Sequence, residues 1–348
     1  MRFPSAAWLL SLVSCSVAPL PALPKVAEHA TILVPGYKGS FLANDKGERI
    51  WITPGKALAG GDTSLAIPFA GQRETHSAGP LHPDGPITRL SVLGIGASVY
   101  LPFLEFAGEK LPGVVPFSYD WRQDIRVSAR ELCAQIEASP AARVDLVVHS
   151  MGGLVALHCL KLGAPKVRRV VFAGTPFRGA AEILKDLARG VKEVLNGSLM
   201  SQEAIFTFTA AWQLAPPDSV LLNASRWQAG LGLFADPAVR ENPAYLDLLE
   251  NQLEKAHAHW KELEGFEPKV PVLAVIGKGR DTVSGTTFNP EGTPEFDHPP
   301  KSDGDGLVPE SSARPAFAHE ELISSAVHQS LLNDPAVQAA IERFLAAP

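Results

Sequence analysis

Apolar residues fall along this chain in two rhythms. Largely apolar runs at Ala30–Val34, Val144–Val148, Val167–Ala173 and Val270–Ile276 are short and lack regular polar alternation, the pattern of strands buried on both faces. The first of these reads as a core strand over 26–34. Between the runs the period lengthens: Val127, Leu132 and Ile136 share one face of a helix expected near 124–138. A helix is expected near 95–110 and a strand near 114–118. Leu322–Val327 reads as a late strand. Strands alternating with helices predict an α/β fold with a mostly parallel sheet and helices on both faces.

Two stretches break this alternation. Residues 40–90 are rich in Gly, Pro and Thr, with one short hairpin expected from Ser40–Ala43 to Arg49–Thr53. Residues 180–266 carry no strand signal. There, Ile183, Leu184, Leu187, Val191 and Leu195 mark one amphipathic helix. Asn242-Pro243 opens another, with Leu246, Leu249, Leu253, Trp260 and Leu263 on its stripe. A helical block inserted between sheet strands reads as a cap. The chain closes with Asp334-Pro335 opening a helix to Leu345. The expected division is an N-terminal segment 1–25, a first core part 26–179, a cap 180–266 and a second core part 267–348.

The chemistry is concentrated where one strand turns into a helix. The apolar run ending at Val148 breaks at His149-Ser150-Met151-Gly152-Gly153 and resumes as an apolar helical stretch, Leu154–Leu162. A serine on so sharp a turn is held above the sheet edge with its oxygen exposed, the nucleophile elbow of an α/β-hydrolase fold. The usual G-x-S-x-G lacks its first glycine here, since Val148 stands in that place. Gly152 and Gly153 are expected to supply the backbone freedom that the turn needs. The earlier run Ala30–Val34 ends in a glycine loop, Pro35-Gly-Tyr-Lys-Gly39. In that fold such a loop donates one backbone N–H to an oxyanion and the residue after the serine donates the other. Tyr37 and Met151 occupy these positions.

An acid and then a histidine should follow the serine in the chain. Asp303-Gly-Asp305-Gly-Leu-Val-Pro309 is a tight acidic loop. Asp305, between two glycines, suits the orienting carboxylate, and Asp303 reads as turn-forming. Beyond it stand His319, in a polar, solvated stretch, and His328, on a loop after a strand, from which it can reach back over the sheet edge. His149 neighbours the serine, so its side chain is expected to point elsewhere, and His158 reads as a packed residue of the elbow helix.

Several separated blocks resemble the lecithin:cholesterol acyltransferase-like family of α/β-hydrolases. They are Leu33–Ser40, Tyr119-Asp-Trp-Arg122, His149–Leu154, Gly174-Thr-Pro-Phe-Arg-Gly179, Gly304–Pro309 and His328, in the family's order. The resemblance implies a serine triad acting on acyl esters, often of lipids, with Ser150 as nucleophile, Asp305 as acid, His328 as base and Tyr37 and Met151 at the oxyanion. It departs from the family at Val148 and at Leu307, where Thr is common. A disulfide-clipped loop after the first strand is absent too, since no cysteine lies between Val26 and Leu132. Trp121 is expected to line the acyl pocket. Asp120 and Arg122 read as a structural ion pair. Trp51 and Ile52, on the hairpin overhanging the site, either touch lipid or pack beneath the loop. The expected function is a lipid ester hydrolase or O-acyltransferase working through an acyl-enzyme. The alternatives are a carboxylesterase or polyester depolymerase on non-lipid esters, or a non-catalytic surface lipoprotein on the same scaffold.

Composition adds limits. With 348 residues, 46% apolar and 20% charged, the chain suits one large globular domain with an insertion. A net charge of −6 without a basic cluster argues against a nucleic-acid partner. No cysteine or histidine spacing suggests a metal, and no cofactor is expected. Arg2 followed by apolar Ala6–Val13 reads as an export signal. Leu12-Val-Ser-Cys15 resembles a lipobox, making Cys15 the expected lipid anchor of a periplasmic or outer-membrane protein facing a membrane surface. Plain secretion is the alternative. Pro19, Pro21 and Pro24 disfavour a spanning helix. Cys133 and Cys159 sit on helices flanking the core, as buried thiols or as a disulfide. Asn196 and Asn223 fit glycosylation sequons. Oligomeric state is not legible.

Overall fold

The computed structural model describes residues 28–347 apart from 54, 57–62, 73–76, 93–94, 194–195 and 291–292. The export segment and Cys15 lie outside the described residues. Six parallel strands form the central sheet: β1 (His29–Val34), β2 (Val114–Pro116), β3 (Arg143–His149), β4 (Val167–Ala173), β5 (Val272–Gly277) and β6 (Glu320–Ser324). Their spatial order is β6-β5-β4-β3-β1-β2. Val34 pairs with Val148, and Val148 with Phe172, so three strand ends lie level at one edge.

Alternate side chains go to opposite faces, and both faces are dry. Ile32, Val34, Leu146, Val148, Val170 and Phe172 enter one core cluster. Leu33, Val147, Val171 and Ala173 enter the other. The second face is covered by α1 (Leu101–Lys110) and by α6 (Pro335–Ala346), the chain's last helix. The first is covered by α2 (Ile125–Ala138) and α3 (Met151–Leu162). Side-chain caps define the helix starts: Asp124 accepts the Arg126 N–H at α2, and Asp334 accepts the Ala336 N–H at α6. Each such cap contributes roughly 1 kcal/mol. A disulfide joins Cys133 on α2 to Cys159 on α3, so these cysteines are not free thiols.

The block after β4 departs from the expected helices in one respect. Its first helix, α4 (Glu182–Arg189), stops at Gly190, which takes φ +73°. Beyond it Val191–Glu193 pairs antiparallel with Asn196–Met200. Val191 therefore leaves the helical stripe, and Leu195 lies outside the described residues. The long α5 (Pro243–Leu263) opens behind Asn242 as expected. Side chains of this block, among them Ile183, Leu187, Trp212, Tyr245 and Leu249, belong to the same cluster as the sheet's first face. The helices thus lie directly on the sheet's own core. Asn196 is buried and donates to the Lys56 carbonyl at 2.7 Å, so the folded chain does not present it to a glycosyltransferase.

The 40–90 stretch holds a three-stranded sheet in which Ser40–Ala43 pairs with both Arg49–Trp51 and His82–Pro86. A second hairpin, Arg89–Val92 with Ile95–Ser98, occupies part of the expected 95–110 helix. The helix begins only at Leu101, where Pro102 suits a first turn.

Candidate active site

In open parallel sheets a site forms beyond the carboxyl ends of strands whose connections run in opposite directions. Here that point lies between β1 and β3, since β2 sits outside β1 and the chain must then cross back to reach β3. The loop after β1 and the elbow after β3 meet there.

Ser150 has φ +54° and ψ −129°, in the left-handed region that a side chain normally avoids. Its N–H is held by the Ala173 carbonyl at 2.9 Å, and α3 begins one residue later. The neighbouring glycines solve a different problem from the one expected of them. Gly152 and Gly153 are not in the left-handed region; they are places of close approach. A Cβ on Gly152 would sit 2.5 Å from the Val34 and Pro35 carbonyl oxygens, and one on Gly153 would sit 2.0 Å from Thr175 Oγ1. Val148 needs no such freedom, because it is still a paired strand residue. Gly36 completes the crowding: a Cβ there would lie 2.7 Å from Ser150 Cβ.

His328 and Asp305 meet beside this turn. His328 Nδ1 lies 2.7 Å from Asp305 Oδ2, and the His328 N–H donates to the Asp305 carbonyl at 3.0 Å. Both side chains are buried. Asp305 Oδ1 accepts the N–H groups of Leu307 at 2.9 Å and Val308 at 2.7 Å. Burial by itself raises the Asp305 pKa. The charge and hydrogen bond of His328 and the two backbone donors outweigh it and hold the carboxyl below its ordinary value. With the ionised carboxylate accepting at Nδ1–H, His328 presents Nε2 as its free acceptor. Two glycines at strand ends make room for this pair. A Cβ on Gly174 would lie 3.1 Å from His328 Nδ1, and one on Gly277 would lie 2.3 Å from Asp305 Cβ.

Ser150 and His328 face one cavity of about 520 Å³. Gly36, Tyr37, Lys38 and Gly39 line it from the β1 loop, Trp51 from the following sheet and Ile87 from just beyond it, and Ile183, Leu214 and Leu307 add apolar wall. Glu182 and Asp186 lie on the α4 side. Trp51 and Ile52 are both buried in the core; Trp51, anchored by its Nε1–H to the Lys38 carbonyl at 3.2 Å, also reaches the cavity wall, and Ile52 does not. Trp121 corrects the expectation that it lines the pocket. It is fully buried and absent from the wall, donates Nε1–H to the Ser40 carbonyl at 3.0 Å, and supports Tyr37 and Trp51 from behind with ring centroids 5.0 and 5.2 Å away. Its size fits a pocket, but its bond to the Ser40 carbonyl holds it beneath the Tyr37 and Trp51 rings, one layer back. Met151 is the first residue of α3, directly after Ser150. Asp120 and Arg122 form a buried bidentate pair, with a further bond from Arg122 to the Leu65 carbonyl at 2.8 Å. His319 is bonded to the Phe317 carbonyl, and Asp303 to the Gly279 N–H. Among the described residues no cluster of three or more His, Cys, Asp or Glu side chains is arranged to hold a metal ion.

His149 does not turn away from the site, as its position next to the serine had suggested. Its ring lies against the His328 ring, with centroids 4.8 Å apart, and its Nδ1 and Nε2 are both bonded. No local pattern announces this, because its partners come from two other segments of the chain.

Residues 92–346 match the alpha/beta hydrolase family, and the chain belongs to that family. Its fold is the α/β-hydrolase fold. Over 197 residues it is 26% identical to the uncharacterized Saccharomyces cerevisiae protein YJR098C, covering 55% of this chain but 29% of that protein. Among solved structures, the Tle4–Tli4 complex contains a chain similar over 92% of this one and 98% of its own length, at 16% identity and a TM-score of 0.57. The mature Bacillus licheniformis lipase BlEst2 is 13% identical over 95% of each chain, with a TM-score of 0.43.

Proposed function

We propose that this α/β-hydrolase is a serine-dependent acyl ester hydrolase or O-acyltransferase for lipid esters, akin to the lecithin:cholesterol acyltransferase-like enzymes. One observation carries the reading: a serine in the left-handed region faces the same largely apolar cavity as a histidine whose other nitrogen is bonded to a buried carboxylate. In this reading Ser150 attacks the ester carbonyl while His328 Nε2 takes its proton. Asp305 holds the imidazole and stabilises its cation. The backbone N–H groups of Tyr37 and Met151 receive the oxyanion, helped by the N-terminal end of α3. His328 returns the proton to the leaving alcohol, and the acyl group stays on Ser150. Water arriving next gives the free acid; an alcohol gives a new ester. The helices of 180–266 act as a cap over the acyl chain, and Trp51 contacts it.

The same reading places the protein in an exported, membrane-facing setting, with residues 1–25 as the signal and Cys15 as the lipid anchor. The Cys133–Cys159 disulfide supports an oxidising compartment.

A fluorophosphonate probe tests the chemistry. The wild-type protein labels and Ser150→Ala does not, with turnover falling on the order of 10⁶-fold if the three residues act as a unit. Incubation with a labelled phospholipid, with and without a long-chain alcohol, then separates free acid from new ester by chromatography. A wild-type protein that neither labels nor releases acid overturns the reading.

A further inference from the structure

One imidazole joins three loops at the sheet edge. Tyr100 Oη accepts the Gly36 N–H at 2.9 Å and lies 2.8 Å from His149 Nδ1; His149 Nε2 lies 3.0 Å from the His328 carbonyl oxygen. The proton inventory allows one arrangement. A phenol that accepts from Gly36 has its single proton left to donate, so it donates to Nδ1. His149 then carries its proton on Nε2 and donates to the His328 carbonyl. The chain of bonds runs from the residue preceding Tyr37, through the residue preceding Ser150, to the backbone of His328, which is itself bonded to Asp305. Tyr100 and His149 are both buried. They pack edge to face, with centroids 5.7 Å apart.

We infer that His149 and Tyr100 are positioning residues of the acyl-transfer centre, fixing the oxyanion loop and the histidine loop at a set separation on either side of Ser150. The inference rests on the reading of Ser150 and His328 given above. Its logic is geometric. The three loops leave different strands, and their register is set in part by these neutral bonds. The neutral form of His149 is essential, since a cation would lose the Nδ1 acceptor. Burial, and then the neighbouring His328, hold its pKa down to about 3. A cationic His328, formed during attack, disfavours a second charge 4.8 Å away still further. The clamp is thus in its bonding form throughout the proton transfer.

Three variants test this. Tyr100→Phe removes one hydroxyl from a buried ring. His149→Phe keeps a ring and removes both bonds. His149→Gln restores an acceptor and a donor. We expect Tyr100→Phe and His149→Phe to lower kcat, and the rate constant of fluorophosphonate labelling, by about 10²-fold, the scale of an ångström of misalignment. KM should stay within about threefold, because Tyr100 and His149 line the cavity but commit their polar atoms to protein partners, not to substrate. His149→Gln should recover about tenfold over His149→Phe. Folding is followed by thermal midpoint, and Tyr100→Phe decides the matter if His149→Phe does not fold. Wild-type labelling with Tyr100→Phe within threefold of it overturns the inference and leaves Ser150 as nucleophile. A loss expressed in KM alone, or no gain from Gln, also overturns it. A wild-type protein that does not label overturns the reading beneath and the inference with it.

Discussion

At the scale of single residues the site is a problem of space as much as of chemistry. Glycine is required wherever two loops meet without room for a methyl group: Gly36 against Ser150, Gly152 against Val34, Gly277 against Asp305. The last gives a sharp expectation. Gly277→Ala puts a Cβ 2.3 Å from Asp305 Cβ, inside any tolerated contact. Asp305 must shift, and its bond to His328 Nδ1 goes with it. Turnover should fall at least about 10²-fold while Ser150 remains in place. Steady-state kinetics with a soluble ester check this, and a variant with unimpaired kcat would show that the carboxylate's position is not limiting. That Ser150, Asp305 and His328 would meet at one sheet edge was legible because each sits in a strong local pattern: a strand-to-helix break, a glycine-flanked acid, a strand-end histidine. The placement of Tyr100, Gly277 and His149 was not. Their neighbours are 49 to 179 positions away along the chain for the bonded pairs, and nothing in a local window records such contacts.

At the scale of elements, apolar rhythm fixes type better than extent. Strands and helices around the sheet follow it, because burial on both faces leaves little choice of pattern. Errors came where a single backbone feature overrode periodicity. Gly190 stops α4 although Val191 continues the apolar spacing along the sequence. The hairpin at Arg89–Ser98 displaces the start of α1. The pairing of α2 with α3 through Cys133 and Cys159 belongs to this scale too. The two cysteines are 26 positions apart, and closing such a loop stabilises by about 3–4 kcal/mol through the unfolded chain. The double replacement Cys133→Ala/Cys159→Ala should lose about that much in urea unfolding. Catalysis should persist, because neither sulfur reaches the cavity. A loss under about 1 kcal/mol would mean that the unfolded chain is already constrained there.

For the molecule as a whole, three buried histidines couple stability to pH. His149 is held down to about 3 by burial and His328. His158 is held to about 4 and His259 well below its ordinary value, again chiefly by burial. His158 and His259 bond to each other at 2.8 Å and join α3 to α5. With folded values below the ordinary 6.5, the unfolded chain takes up protons that the folded chain refuses as pH falls through about 6.5. Their contribution is complete above that pH and is lost progressively as pH falls, to about 4 for His158 and about 3 for His149. Glu131, raised by burial, acts in the opposite sense, and only around its ordinary 4.5. Thermal midpoints should therefore fall between pH 7.5 and pH 5. A midpoint that holds or rises over that interval contradicts this account. The sequence alone determined the fold class, the strand-to-helix turn carrying Ser150, and the order of acid and histidine behind it. It did so because burial periodicity and turn geometry are local constraints, written within a few residues. Only the tertiary structure decided that Trp121 stands behind the cavity and Trp51 at it, that Cys133 and Cys159 meet, and that His149 ties three loops together. Those outcomes depend on which strands lie side by side, a property of close packing among distant segments.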